Sequence, residues 1–336
     1  MTIHQRIHAF SQLGNHLGNL SDEAFESLAE SARLENPWFT NENVRMALKG
    51  ISEYLKTDSL KQWTNNYVLE PSKPKTIALV MAGNIPLVGF HDFLCVLISG
   101  NHIQVKLSSK DSKLFQYLIK HLVWLEPGFQ VRITFKDKLE DFDAIIATGS
   151  DNSSRYFEYY FGKYPNIIRK NRTSCAVLTG TESDDEIERL GTDIFSYFGL
   201  GCRNVSKVYV PNEYDFTKLL SRWDKFEEVI HHHKYCNNYD YQKSILLVNS
   251  VPFLDNGFIL LQENEKLVSP ISVLYYEHYV SDNDLKNKLR ESVEKLQCIV
   301  GKGKPATIPF GQAQYPQVWD YADQVDTLKF LSELKI

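Results

Sequence analysis

Cys202 is the residue in this sequence best suited to nucleophilic chemistry. It lies between a predicted helix and a predicted strand, and Gly199 and Gly201 precede it. Glycines allow the chain to turn sharply and its backbone to approach a ligand closely. The neighbouring Arg203 is a cation, which would favour the thiolate, the form of cysteine that attacks electrophiles. The alternative interpretation is an ordinary buried cysteine near a turn.

Two turns have the composition to bind polar groups of a substrate or cofactor. Gly83-Asn84-Ile85-Pro86 follows a predicted buried strand, and the Asn84 amide could donate a hydrogen bond to a developing oxyanion. Thr148-Gly149-Ser150 ends another strand and begins a helix, where backbone N–H groups suit a phosphate. The plainer alternatives are a turn asparagine beside a proline and an ordinary strand-to-helix turn.

Two other clusters of polar residues are weaker indications of a binding site. His231, His232 and His233 lie near Cys236, but their spacing matches no closed zinc set, so we expect a solvated loop and no metal site. Lys302 and Lys304 stand in a glycine-rich stretch that could meet a phosphate or simply lie at the surface.

The elements that must position these residues alternate between strands and helices. Residues 21–62 are predicted to be helical. The predicted strands lie at 76–81, 102–106, 131–135, 143–147, 175–178, 207–210, 244–248 and 271–276. The predicted helices between them lie at 89–98, 111–124, 149–160, 186–198 and 281–296, with a basic loop at 169–172. This alternation predicts an α/β fold with parallel sheets. In such folds, sites form at the carboxyl ends of the strands.

Composition excludes several classes of protein. The chain has 336 residues, 43% of them apolar, and a net charge of −5, which is typical of a globular protein and not of a disordered one. The mild acidity argues against nucleic-acid binding. The longest uncharged run, 76–91, is short for a membrane span and is interrupted by polar residues. Five scattered cysteines and no signal peptide lead us to expect a soluble cytoplasmic protein.

Taken in order, these motifs resemble the aldehyde dehydrogenase superfamily. The sequence has a strand followed by Gly-Asn-Ile-Pro, a strand ending in Val105-Lys106-Leu107-Ser108-Ser109, a strand ending in Thr-Gly-Ser, and Gly201-Cys202 before a strand. The phrases Phe198-Gly-Leu-Gly-Cys202-Arg-Asn-Val-Ser-Lys-Val-Tyr-Val210 and Phe310-Gly-Gln-Ala-Gln-Tyr-Pro316 resemble, more narrowly, the LuxC-type fatty acyl-CoA reductases. The resemblance covers roughly residues 75–325 and is most specific in the cysteine segment.

The resemblance implies a role for each motif. Cys202 matches the nucleophile that becomes acylated, and Asn84 matches the asparagine of the P-W-N-x-P motif, whose side chain helps to form the oxyanion hole. Lys106 matches the lysine of K-P-S-E, which holds the adenosine ribose of the cofactor. The residues that the resemblance implies for cofactor binding are Lys106, Ser108, Ser109, Thr148, Gly149 and Ser150.

Three departures from the superfamily pattern concern glutamates. Ile168-Arg-Lys-Asn171 stands where the motif E-L-G-G carries a general base, and the loss of that base fits a reductase that must keep water from its thioester. Ser109 replaces the glutamate of K-P-S-E, and with Lys106 and Lys110 close by it makes the 2′-phosphate of NADPH acceptable. Lys266-Leu-Val-Ser-Pro270 best matches E-x-F-G-P but lacks the acid, which leaves the nicotinamide-ribose contact unexplained.

The resemblance therefore predicts NADPH-dependent reduction of a fatty acyl thioester to the aldehyde through a Cys202 acyl-enzyme, with NADH as a possible cofactor. An acyltransferase or thioesterase that uses the same cysteine, or a non-catalytic binding protein, stays open. We expect an acyl-CoA or acyl-carrier-protein substrate, and the superfamily resemblance is compatible with a homodimer. The expected domains are a Rossmann-like cofactor domain at 1–175, a catalytic domain at 176–305, and a C-terminal segment at 306–336 that returns to the domain interface. The cleft between the domains would hold the cofactor and Cys202.

Overall fold

The computed structural model describes residues 1–149 and 151–334. These residues form two compact units. The first contains residues 1–171 and 317–336, and the second contains residues 172–316. The chain therefore leaves the first unit once, builds the second, and comes back to the first at its C-terminal end.

The first unit is a parallel sheet with helices. Its helices before the chain leaves it are α1 (Ile3–Gly18), α2 (Asp22–Glu35), α3 (Asn41–Tyr54), α4 (Thr57–Thr64), α5 (Phe90–Ile98), α6 (Lys113–Leu125) and α7 (Asp151–Phe161). Its strands are β1 (Thr76–Val80), β2 (His102–Lys106), β3 (Ile133–Phe135), β4 (Ala144–Thr148) and β5 (Asn166–Arg169). The strand order is β3-β2-β1-β4-β5, and all pairs are parallel. This is the doubly wound arrangement, whose strand order reverses between β1 and β4.

Helix α1 was missed by the sequence analysis, which began its helices at residue 21. Thr2 caps α1 with a capping box, because its side chain accepts from the Gln5 backbone N–H and the Gln5 side chain accepts from the Thr2 backbone N–H. Phe10 and Leu13 of this helix are fully buried in the core of the first unit. Helix α1 thus packs one face into the folded core.

The C-terminal segment of the first unit is fixed by polar contacts. The His91 ring is 2.7 Å from the Val318 carbonyl oxygen, and the Trp63 indole donates to the Tyr321 hydroxyl at 2.8 Å. The Tyr67 hydroxyl donates to Asp326 at 2.9 Å.

The second unit holds a second, six-stranded sheet. Its strands are β6 (Thr173–Val177), β7 (Val205–Pro211), β8 (Leu254–Asp255), β9 (Leu260–Glu263), β10 (Val273–Tyr279) and β11 (Leu296–Val300). Its α-helices are α8 (Asp184–Phe195), α9 (Phe216–Ser221), α10 (His233–Val248) and α11 (Asp282–Ser292). The strand order is β11-β6-β7-β10-β9-β8, parallel except for the short β8–β9 pair. The last helix of the chain, α12 (Thr327–Ser332), belongs to the first unit.

Short 3₁₀ helices complete the secondary structure. They lie at Pro127–Phe129, Ser196–Gly199, Asp224–His231, Val293–Lys295 and Ala322–Gln324. None of the helices in the part of the chain that the structure describes is long and apolar enough to cross a membrane.

The predicted α/β class with parallel sheets is confirmed, but three local predictions are wrong. Residues 244–248 are the end of α10 and not a strand. The predicted helix 281–296 ends at Ser292 and, after a short 3₁₀ turn, the chain enters β11. The basic loop at 169–172 begins inside the sheet, because Arg169 is the last residue of β5 and is buried.

Candidate active site

The loop that carries Cys202 connects a strained turn to strand β7. Tyr197, Phe198 and Gly199 all have positive φ angles, of 52°, 56° and 76°. For the two aromatic residues this is an uncommon conformation, and such strain is concentrated at functional sites. Cys202 follows in a turn and is partly exposed, so its thiol is placed in a loop and not in the core.

Asn204 fixes this loop through its side chain. Its Oδ1 accepts from the Gly201 backbone N–H at 2.8 Å, and its Nδ2 donates to the carbonyl oxygens of Asp193 at 3.1 Å and Ser196 at 2.8 Å. The side chain is almost completely buried. Asn204 therefore joins the backbone on both sides of Cys202 to the C-terminal end of α8, whose carbonyl groups have no partner within the helix.

Ser174 on β6 holds the cysteine backbone from the sheet side. Its hydroxyl donates to the Cys202 carbonyl oxygen at 3.0 Å and lies 3.0 Å from the Cys298 sulfur on β11. The carbonyl of Cys202 is thus directed into the sheet. Sequence reasoning singled out neither residue, because Ser174 is 28 residues from Cys202 and Asn204 is 11 residues from Asp193.

Arg203 contacts the phrase Phe310–Pro316, the second segment on which the narrower resemblance depends. Its Nε donates to the Ala313 carbonyl oxygen at 2.6 Å. The buried carboxylate of Asp193, in the last turn of α8, accepts from the backbone N–H groups of Gly311 at 2.6 Å and Ala313 at 2.9 Å. The two sequence segments most specific to the resemblance are therefore bonded to one another inside the second unit.

In the first unit, the turn Gly83–Pro86 follows β1 and presents an exposed Asn84. The Asn36 amide donates to the Gly83 carbonyl oxygen at 3.2 Å. A Cβ on Gly83 would lie 2.8 Å from the Ser108 Cβ, so only glycine fits here.

Asp111 supports the same turn from the loop after β2. Its Oδ2 accepts from the Leu87 backbone N–H at 2.6 Å, and Leu87 has a φ of 58°. Its other oxygen is buried and makes no hydrogen bond. Burial raises the pKa of Asp111 to about 8, and the neighbouring Glu35 contributes to the rise.

The predicted cofactor residues lie at the carboxyl edge of the first sheet, where its strand order reverses. Val80 is in register with Lys106 on β2 and with Ala147 on β4. Lys106 is exposed at the end of its strand, and Ser108 accepts from the Lys110 backbone N–H at 3.2 Å. The turn at Asn84 follows the middle one of these three strands.

Three more predicted cofactor residues, Ser109, Thr148 and Gly149, are at or beside this edge. Thr148 ends β4 and is partly exposed, and Ser109 is exposed in the loop after β2. A Cβ on Gly149 would lie 2.8 Å from both the Ser153 Cβ and the Phe157 ring, so a glycine is required at this turn. Ser150 lies outside the described residues. A dinucleotide fits such an edge, because ligands of doubly wound sheets bind where the strand order reverses.

The histidine cluster is divided between two elements. His231 ends a 3₁₀ helix and His233 begins α10, while the His232 ring packs against Phe198 with centroids 4.5 Å apart. Within residues 1–149 and 151–334, no three His, Cys, Asp or Glu side chains are grouped as metal ligands. Lys302 forms an ion pair with Glu186 at 3.2 Å.

Several solved structures with a similar fold are aldehyde dehydrogenases. Aldehyde dehydrogenase 21 from Physcomitrella patens, solved with succinate, is 12% identical, with a TM-score of 0.67 over 99% of this chain and 84% of that one. An aldehyde dehydrogenase from Bacillus cereus in complex with NAD⁺ is 14% identical, with a TM-score of 0.63 over 89% and 72% of the chains. Aldehyde dehydrogenase C from Pseudomonas syringae, with NAD⁺ and octanal, is 11% identical, with a TM-score of 0.63 over 90% and 72%.

At such low identity these likenesses establish the fold alone. No curated protein is significantly similar in sequence. Residues 19–220, which are more than half of the chain and include both the Asn84 turn and the Cys202 loop, match the acyl-CoA reductase (LuxC) family. The chain therefore belongs to the LuxC acyl-CoA reductases, oxidoreductases that act on acyl thioesters, and it has the aldehyde dehydrogenase fold.

Proposed function

We propose that this chain reduces a fatty acyl-CoA to the fatty aldehyde, with NADPH as the hydride donor and Cys202 as the nucleophile. The observation that carries the proposal is the Cys202 loop itself. It lies within the family match, it is strained at Tyr197 and Phe198, and its residue Cys202 is partly exposed. A structural cysteine in a core strand, such as Cys175, needs none of these features.

In the first half-reaction, the Cys202 thiolate attacks the carbonyl carbon of the acyl thioester. A carbon–sulfur bond forms, and the carbonyl electron pair becomes an oxyanion. The Asn84 amide and the Cys202 backbone N–H donate hydrogen bonds to that oxyanion. When the oxyanion collapses, the bond to the CoA sulfur breaks, CoA leaves as a thiolate that takes up a proton, and the acyl group remains on Cys202.

In the second half-reaction, the acyl carbon is reduced on the enzyme. NADPH, when bound, supplies the hydride. The same two donors then stabilise the oxyanion of the Cys202 thiohemiacetal. Its collapse expels the Cys202 thiolate and releases the aldehyde, which restores the enzyme.

Hydrolysis of the acyl-enzyme must be suppressed for this sequence of steps. The stretch Ile168–Asn171 contains no carboxylate, and its arginine, Arg169, is buried in an ion pair with Asp92 at 2.7 Å. A carboxylate base that could activate water against the thioester is therefore absent from this stretch. This supports reduction over hydrolysis.

NADPH is preferred over NADH in this proposal because of the charges beside β2. Lys106 and Lys110 are exposed, and Ser109 stands between them in place of an acid. Two exposed cations, with a serine in the position of the acid, favour a 2′-phosphate on the adenosine ribose.

The test follows NADPH absorbance with tetradecanoyl-CoA as substrate and traps the aldehyde. We expect NADPH loss and aldehyde in equal amounts with wild type and with the control Cys236→Ala, whose sulfur lies on α10 near Asp240. Cys202→Ala should form no acyl adduct and no aldehyde. An acyl adduct on that variant would overturn the role of Cys202.

Two other outcomes would change the proposal itself. Release of free CoA without NADPH loss would indicate acyl transfer or hydrolysis. If neither is seen with tetradecanoyl-CoA, the same assay with tetradecanoyl-acyl-carrier protein separates a different donor from a binding protein. Sedimentation of the purified chain would decide whether it forms the expected homodimer.

A further inference from the structure

Asp193 stands where a carboxylate is unfavourable for stability. It lies in the last turn of α8, where the helix dipole is negative, and it is fully buried. Burial raises its pKa to about 6, although two backbone N–H groups and the charge of Arg203 oppose the rise. A raised pKa means that the ionised form costs the folded state free energy at neutral pH. A stabilising role therefore does not explain why the residue is an aspartate.

The hydrogen bonds of Asp193 explain why an aspartate stands at this position. The two carboxylate oxygens each bind one N–H of the segment Phe310–Pro316, with Oδ2 on Gly311 and Oδ1 on Ala313. Gly311 has a φ of 78°, and a Cβ there would lie 2.9 Å from the Arg189 Cβ, so the segment fits against α8 closely. Asp193 thus sets the position of the backbone at Ala313.

Ala313 in turn contacts Arg203, the residue that follows Cys202. Its carbonyl oxygen accepts from Arg203 Nε at 2.6 Å, and Arg203 directly follows Cys202 in the chain. A second connection runs through Asn204, whose amide donates to the Asp193 carbonyl oxygen. Asp193 is therefore connected to Arg203 through its carboxylate and to Asn204 through its backbone carbonyl.

We infer that Asp193 is a positioning residue for Cys202: through the segment Phe310–Pro316 and Arg203, it holds the cysteine loop in its reactive geometry. The inference rests on the proposed function insofar as Cys202 is the nucleophile. Asp193 touches neither substrate nor cofactor in this role. It acts by fixing Arg203, and misplacement of a reacting group by about 1 Å can cost roughly a hundredfold in rate.

The test measures the rate at which iodoacetamide alkylates Cys202 in the folded full-length chain. Peptide mass spectrometry separates Cys202 from the other four cysteines. The reaction needs only an accessible thiolate, so its rate reports the surroundings of the Cys202 sulfur without acyl-CoA or NADPH. Asp193→Asn keeps the shape of the side chain but removes one of its two acceptor oxygens. We expect alkylation at least about tenfold slower, in a chain whose circular dichroism shows that it is still folded.

Two further variants complete the design. Arg203→Lys retains the positive charge but not an N–H at the Nε position, and it should slow alkylation in the same direction. The double variant should be no slower than the slower single variant, because both changes break one chain of contacts. Asp184→Asn, a half-exposed carboxylate in the first turn of α8, is the matched control and should react as wild type does.

The outcomes separate this inference from the proposed function. Wild-type rates in both Asp193→Asn and Arg203→Lys would overturn the positioning role and leave the reductase proposal intact. If Asp193→Asn does not fold, a wild-type alkylation rate in Arg203→Lys is sufficient to overturn the positioning role. A wild-type Cys202 that reacts no faster than Cys236 would overturn the nucleophile assignment, and the positioning role with it.

Discussion

Arg169 and Asp92 form a buried, bidentate ion pair that joins the end of strand β5 to helix α5. Arg169 Nε is 2.9 Å from Asp92 Oδ2, and Nη2 is 2.7 Å from Oδ1. The guanidinium also donates to the Ala322 carbonyl oxygen and the Thr327 hydroxyl in the C-terminal segment. Burial alone would raise the pKa of Asp92, but the charge and hydrogen bonds of Arg169 lower it. One arginine therefore joins three parts of the first unit.

Arg169→Met should destabilise the first unit strongly. It leaves the Asp92 carboxylate buried without a cation, and breaking a buried pair from one side costs about 3–5 kcal/mol. Urea unfolding monitored by circular dichroism gives the free energy of unfolding. The double variant Arg169→Met/Asp92→Leu should recover much of the loss, because the Asp92 charge is then gone and the other ion pair that is lost, the contact to Asp323, is longer, at 3.7 Å. A double variant as unstable as the single one would contradict this account of the pair.

Asp111→Asn should stabilise the protein more at pH 8 than at pH 5. The pKa of Asp111 is raised to about 8 in the folded state, above its usual value of 3.8, so the unfolded chain loses this proton first. The stability contributed by the protonated carboxyl is present at low pH and declines as the pH rises toward 8. Asparagine keeps the acceptor for Leu87 and carries no charge. The thermal midpoint, measured for both proteins across this range, should show a difference that grows with pH.

Asp22→Asn is the control for that pH series. Asp22 is exposed in the first turn of α2, where a carboxylate is favoured by the helix N-terminus. Its removal should not produce a stabilisation that increases with pH. Equal curves for Asp111→Asn and Asp22→Asn would show that Asp111 is not held protonated.

The sequence predicts the site turns well because their signals are local. A buried strand followed by glycine, asparagine and proline defines the Asn84 turn, and two glycines before a strand define the Cys202 loop. Most of the contacts that hold these turns join residues far apart in the chain. Asp193 and Gly311 are 118 residues apart in the chain, and no pattern in either segment relates them.

The wrong local predictions also have physical reasons. Ser244–Val248 is an apolar run whose length fits a strand, but it ends a 16-residue helix, and periodicity cannot separate the two in so short a run. Arg169 looks like the start of a charged loop, yet its neighbours Ile167 and Ile168 belong to a strand. Its partner Asp92 is 77 residues away, so only the folded structure shows that this charge is internal.

Asn84→Ala should lower turnover with tetradecanoyl-CoA by about a hundredfold or more, the scale of one lost oxyanion donor. Asn84 is exposed, so the substitution should leave the thermal midpoint nearly unchanged. The exposed Asn66 supplies the control, since Asn66→Ala should be as active as wild type. Steady-state kinetics measure both effects. A near-normal turnover number for Asn84→Ala would remove this residue from the mechanism.

Ser109→Glu should shift cofactor preference from NADPH toward NADH. The new carboxylate would accept a hydrogen bond from a ribose 2′-hydroxyl and repel a 2′-phosphate, while Lys106 remains in place at the end of β2. Both side chains are exposed, so the substitution needs no repacking.

Fluorescence titration with each cofactor should show at least about tenfold weaker binding of NADPH and no loss for NADH, as expected for one like charge at close range. Ser27→Glu, which adds the same charge on the exposed face of α2, should change neither affinity. An unchanged ratio of the two affinities in Ser109→Glu would mean that the loop after β2 does not read the 2′ position, and the basis for preferring NADPH would be lost.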